Sequence, residues 1–152
     1  MAGIDVIEEL LTRATLAGRV DEEMIRLAEA KLSVQFPTSY RLFLSRFGAA
    51  ICPGFEIAGL FDVGGEDGGP PLFSDVVTGT LQKRRSSHGA FSSAYVPISD
   101  DGGDYTFCLA TGSFNAAGEC PVVVVGPGAD SVVVADDFFA FLVRSFDGSI
   151  AF

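Results

Sequence analysis

The chain of 152 residues and 16.0 kDa carries 20 acids against 10 bases, a formal net charge of −10, yet 48% of it is hydrophobic and its mean hydropathy is +0.37. That pairing excludes an acidic disordered tail, which would lack the apolar residues needed to fold. It also disfavours direct nucleic-acid binding through a basic patch and adhesion to an anionic membrane surface, because both need positive charge.

In chain order, residues 4–16 read as a short amphipathic helix, with Ile4, Ile7 and Leu11 on one stripe, Leu10 widening it and Gly18 as the stop. Asp21 suits the N-cap of a second helix, Glu22 and Glu23 its dipole, and Ile25, Ala28 and Leu32 its buried stripe up to about Val34. Phe36-Pro37 breaks that helix, and Pro37 starts a third. There Tyr40, Phe43, Leu44 and Phe47 stand at i, i+3, i+4 and i+7, and Gly48 closes the element. Phe55–Ile57 and Gly59–Phe61 suggest one or two short strands. Residues 64–71, with four glycines and two prolines, read as a loop. Residues 74–85 fit a strand through Val76, Val77 and Thr78; a Ser74 cap with Val77 and Leu81 one turn apart favours a helix. Residues 86–93 read as a mobile loop.

Four strands follow: Tyr95–Ile98, Tyr105–Leu109, Pro121–Val125 and Val132–Ala135. The run Asp100-Asp-Gly-Gly-Asp104 is a hairpin signal between the first two. Val122–Val125 is continuously apolar, as a strand covered on both faces would be. Asp136 or Asp137 caps a last helix carrying Phe138, Phe141 and Leu142. The expected fold is a single α+β domain over 1–152: N-terminal helices packed on an antiparallel or mixed β-sheet meander, with a closing C-terminal helix.

The charge is unevenly divided. Residues 1–46 hold seven acids and six bases; residues 47–152 hold thirteen and four, three of the four being Lys83-Arg84-Arg85. Cys52, Cys108 and Cys120 are an odd, widely spaced set, read as thiols of a reducing cytoplasm rather than as a disulfide framework. The segment MAGIDVIEEL lacks a basic leader region, and no apolar run reaches roughly 18 residues, so neither a secretory signal nor a membrane span is expected.

Three segments together resemble the SUKH superfamily, which includes the fungal Smi/Knr cell-wall regulators and many bacterial immunity proteins. They are Phe36-Pro-Thr-Ser-Tyr-Arg-Leu-Phe-Leu-Ser-Arg-Phe-Gly48, Tyr95-Val-Pro-Ile-Ser-Asp-Asp-Gly-Gly-Asp-Tyr-Thr-Phe-Cys-Leu109, and Pro121–Val125 with Val134–Leu142. Order and spacing agree over about residues 20–146. Phe36, Pro37, Tyr40, Phe43, Leu44, Phe47, Gly48, Pro97, Phe138 and Leu142 carry the match. The chain departs from the family in having no Trp and in Gly48-Ala-Ala where a double Gly is common. The resemblance implies a non-enzymatic binding domain without a cofactor, here an immunity protein that neutralises a cognate bacterial toxin. Many such toxins are nucleases, which carry positive charge, so a basic protein partner suits the acidity after Phe47. A non-toxin adaptor or regulatory domain of the same fold is the alternative, and a monomer or weak dimer is expected.

The candidate contact residues are acids read at turns and loops: Asp62, Glu66, Asp67, Asp100, Asp101 and Asp104. The last three lack the spacing of an EF-hand and read better as turn formers than as calcium ligands. His88, the lone histidine, has no nucleophile motif beside it, and the cysteines lack zinc spacing, although a Cys/His pair can meet in space. Lys83-Arg84-Arg85 reads as a solvated helix end, with a grip on an acidic partner as the other reading. The tail Ile150-Ala-Phe152 can dock on its own domain or on a second copy.

Overall fold

A computed structural model describes residues 3–62, 72–87 and 91–152. The first helix, α1 (Ile4–Leu11), buries Ile7 and Leu11 as its stripe requires, but it is shorter than the expected 4–16. The Thr12 hydroxyl donates to the Glu9 carbonyl at its end, and Thr15–Leu16 leave as an edge strand, β1. Their backbone pairs with β2 (Ala50–Cys52), a strand with no local signature, and that tertiary pairing overrides the helical stripe.

The helix α2 (Glu22–Leu32) starts as read: Asp21 accepts from the Met24 amide at 2.9 Å. It ends two residues before Val34, where Ser33 turns left-handed at φ 56°. In α3 (Thr38–Phe47), Pro37 occupies the N-cap position rather than the first helical one, and its side chain offers no acceptor. Glu119 fills that role from across the chain, taking the Ser39 amide at 3.0 Å and the Ser39 hydroxyl at 2.6 Å. A remote carboxylate thus satisfies an orphan amide of the helix start.

Gly48 ends α3 at φ +75°, and its carbonyl accepts from the Leu60 amide at 2.9 Å. A Cβ on Gly59 would lie 1.8 Å from the Gly48 oxygen, and one on Gly48 would lie 2.2 Å from the Gly18 oxygen. Only glycines allow the three backbones to cross this closely. The β3 strand (Phe55–Ile57) pairs with β2 as a hairpin, completing an antiparallel sheet ordered β1-β2-β3. Residues 59–61 are not a second strand, because Gly59 is drawn instead into an isolated parallel bridge with Asp75. The loop expected over 64–71 lies outside the described residues.

The ambiguous 74–85 segment is a helix, α4 (Val76–Ser86). Asp75, not Ser74, caps it, taking the Val77 and Thr78 amides at 2.8 and 3.0 Å. Val76 and Thr80 are the residues it buries.

Four strands then form an antiparallel meander in sequence order: β4 (Tyr95–Asp100), β5 (Thr106–Ala110), β6 (Val122–Gly126) and β7 (Ala129–Ala135). Val122 and Val124 enter the main core from one face of β6. Val123 enters a smaller cluster with Phe91, Cys108 and Ala110 on the other, so the continuous valine run is covered on both sides. The closing helix α5 (Phe138–Asp147) is capped by Asp137, which accepts from the Ala140 amide at 2.8 Å.

The main core draws on helices α1 to α5 and on both sheets. At its centre Tyr40 and Phe43 meet Phe138 edge-on, with ring centroids 5.0 and 5.3 Å apart. Such pairs add roughly 0.5–1.5 kcal/mol beyond the area they bury. The C-terminal tail turns back on its own domain: the Phe152 ring lies 4.9 Å from Tyr105 and 6.0 Å from Phe107.

Candidate functional site

The β4–β5 hairpin carries three of the expected contact acids. Gly102 turns the chain at φ +82°. The Asp100 carboxylate accepts from the Gly102 amide at 2.8 Å, and Asp101 accepts from the amides of Gly103 and Tyr105 at 2.8 and 3.3 Å. These bonds brace the turn while Asp100, Asp101 and Asp104 all stay exposed. An amide donor satisfies a carboxylate without cancelling its charge, so the tip presents its negative field to solvent. The turn is further held by Tyr105, whose hydroxyl donates to the Pro127 carbonyl at 2.8 Å. Its ring lies against Gly126, where a Cβ would approach it to 2.4 Å.

Beside this hairpin the two sheets part, leaving a groove of about 540 Å³ between β3, the start of α4 and β4. Two bonds close the seam behind it: the Ala58 amide donates to the Ile98 carbonyl at 2.8 Å, and the Ser99 hydroxyl to the Glu56 carbonyl at 2.7 Å. Tyr40 reaches the same place from α3, its hydroxyl donating to the Ala58 carbonyl at 2.7 Å. Asp100 and Asp101 line the groove together with Glu56 and Asp75, which were not among the expected contact residues, and with Lys83, which was read as a helix-end base able to grip an acidic partner. Glu56 sits exposed between the apolar Phe55 and Ile57, an alternation that marks it as outward-facing. Asp75 is largely committed to capping α4.

The remaining expected acids are not gathered here. Asp62 lines a separate hollow with Arg19, Asp21 and Arg46, where acids and bases are mixed. Glu66, Asp67 and His88 lie outside the described residues. Arg84 is not a solvated helix end: it is partly buried, donating to the Leu32 carbonyl at 2.9 Å and the Ser93 carbonyl at 2.6 Å. Burial there pulls its pKa below the usual arginine value.

Among the described residues no group of three or more His, Cys, Asp or Glu side chains is placed to hold a metal ion. The three cysteines are buried and unpaired, and desolvation pushes each thiol up to about 12. A thiolate is the nucleophilic form, so thiols held this high stay inert at neutral pH. No helix among the described residues is long and apolar enough to cross a membrane.

A family model described as SMI1-KNR4 cell-wall, SUKH_5, matches residues 4–147. The chain belongs to the SUKH superfamily. No curated protein matches it. Within this SUKH domain the residues that carry the family pattern are almost all interior. Phe36, Tyr40, Phe43, Leu44, Phe138 and Leu142 are at most 1% exposed, and Phe47 is 8% exposed. Pro97 differs, since it lines the groove. The residues on which the resemblance was read therefore serve mainly the scaffold, while Asp100, Asp101 and Asp104, in the second of the resembling segments, face solvent.

Proposed function

We propose that this SUKH domain is an immunity protein that acts in the cytoplasm by binding a basic cognate toxin domain at one equivalent and blocking it without turnover. One observation carries the reading: the family scaffold holds Asp100, Asp101 and Asp104 exposed on an amide-braced turn beside an acid-lined groove. A nuclease toxin must hold phosphates with positive charge, so an acidic surface that occupies its cleft competes with nucleic acid. Long-range attraction speeds the encounter, and the pre-formed turn limits the entropy lost on docking.

The test is co-expression with the product of the neighbouring gene, followed by isolation of the complex and an activity titration. A 1:1 complex whose residual activity falls to zero at one equivalent is the expected result. A partner that binds at one equivalent and keeps its activity would make the domain an adaptor instead. Inhibition by far less than one equivalent would point to an enzyme.

A further inference from the structure

The groove at the seam of β3 and β4 combines two kinds of surface. Its apolar wall is formed by the half-buried Ile51, Phe55, Ala58 and Pro97, backed by the core residues Cys52 and Ile98. Its outer part carries the exposed carboxylates of Glu56, Asp100 and Asp101. A space of about 540 Å³ lies within the range of pockets that enclose small ligands, and it holds one long side chain with its flanking backbone.

From this charge complementarity we infer that the groove is the receptor for an arginine side chain on an extended segment of the partner protein. The inference rests on reading the domain as a binder of a basic protein, and it names the group that is gripped. An arginine has a long aliphatic stem for the apolar wall and a planar guanidinium for the carboxylates. Lysine fits less well, because its compact ammonium is more strongly hydrated and loses more on leaving water. The receptor is pre-shaped: backbone amides hold Asp100 and Asp101, and the Ser74 hydroxyl donates to Glu56 at 3.3 Å. Lys83 lines the same groove and opposes any incoming cation.

The probe is a blocked Gly-Gly-Arg-Gly-Gly peptide titrated into the isotope-labelled protein, with amide shifts followed residue by residue. Citrulline and lysine versions serve as neutral and ammonium comparators. Shifts confined to Glu56, Gly79, Ser99 and Asp101, absent with citrulline and weaker with lysine, are expected. Glu56→Gln should weaken the arginine peptide about threefold or more, while Asp130→Asn on the distant β7 should leave it unchanged. Lys83→Met should act in the opposite direction and tighten binding about twofold, an outcome that damage to the fold cannot imitate. Equal shifts around Asp62, Asp130 and Asp147, or equal binding of the citrulline peptide, would overturn the inference. The two readings fail separately. If Glu56→Gln neutralises the neighbouring-gene toxin with wild-type affinity, the groove falls and the immunity reading stands. If the arginine peptide seats in the groove while that gene product is neither bound nor inhibited, the immunity reading falls and the groove stands.

Discussion

Residues 1–46 and the residues after Phe47 handle their carboxylates differently. In the first region Glu8, Glu22 and Glu29 meet guanidinium groups across helices, while Asp21 caps α2. Arg41 of α3 contacts Glu22 at 2.7 Å and Glu29 at 3.0 Å on α2, and Arg46 contacts Glu8 of α1 at 2.5 Å. In the second region Asp75, Asp100, Asp101, Glu119, Asp137 and Asp147 accept from backbone amides at helix starts and turns. Both arrangements satisfy the oxygen atoms, but only the first cancels charge. Nine of the ten net negative charges therefore belong to the later region, where the acids named above are held by amides rather than by bases.

The largest effect belongs to the core that both regions share. Phe43→Ala should lower the unfolding free energy by about 3–5 kcal/mol in chemical denaturation, through lost burial and the cavity beneath Phe138. A loss below about 1 kcal/mol would mean that α3 does not anchor the two regions.

A smaller change tests the link from the signature helix to the groove. Tyr40→Phe removes the hydroxyl that serves the Ala58 carbonyl, and it should cost about 1–3 kcal/mol because a buried acceptor is left unpaired. Amide exchange at Ala58 and Ser99 should quicken in the variant. Unchanged protection there would separate the scaffold from the groove.

Glu119 sharpens the comparison through pH. Burial pushes its carboxyl above the ordinary value of 4.5, against the pull of the Ser39 hydrogen bonds and with a further push from Asp137. Between the ordinary and the raised pKa the folded state keeps a proton that the unfolded state has lost. Stability therefore falls as pH rises through that window and levels off above it. Urea midpoints of wild type minus Glu119→Gln, taken from about pH 4 to about pH 7, should show that decline. A rise with pH across the same range would mean that the hydrogen bonds outweigh burial.

The smallest effect on stability should accompany a clear effect on association. Asparagine keeps the acceptor oxygen that the turn amides use, so the combined Asp100→Asn, Asp101→Asn and Asp104→Asn variant should stay within about 0.5 kcal/mol of wild type. Its on-rate for the basic partner at low salt should drop about tenfold, with a shallower salt dependence. Lysine at the same positions would also break the turn and confuse the two effects. An unchanged on-rate would show that the outward charge of the hairpin does not steer.

Much of the fold is legible locally. The stripe Tyr40, Phe43, Leu44, Phe47 marks a helix face because 3.6 residues per turn places those side chains together, and all four are buried. Asp21 announces a cap, Asp100-Asp-Gly-Gly-Asp104 a turn, and four valines in succession a covered strand, each through chemistry confined to a few neighbours. The extent of α1 is not legible in that way, because Thr15 and Leu16 are claimed by Ile51 and Ala50, about 35 residues away in sequence.

The candidate site is legible only in part. Asp100 and Asp101 are visible as exposed turn acids, but their grouping with Glu56 arises from two sheets meeting at Ala58–Ile98 and Ser99–Glu56. Likewise nothing near Ser39 foretells that Glu119 caps its helix. By itself the amino-acid sequence determined the family, most of the element types and the sign of the charge, because periodicity, capping and composition act over a few residues. Tertiary structure alone decided which carboxylates share a groove, which meet an arginine, and that Glu119 caps a helix remote from it. Those outcomes depend on which distant backbones pack together, and only the folded core sets that.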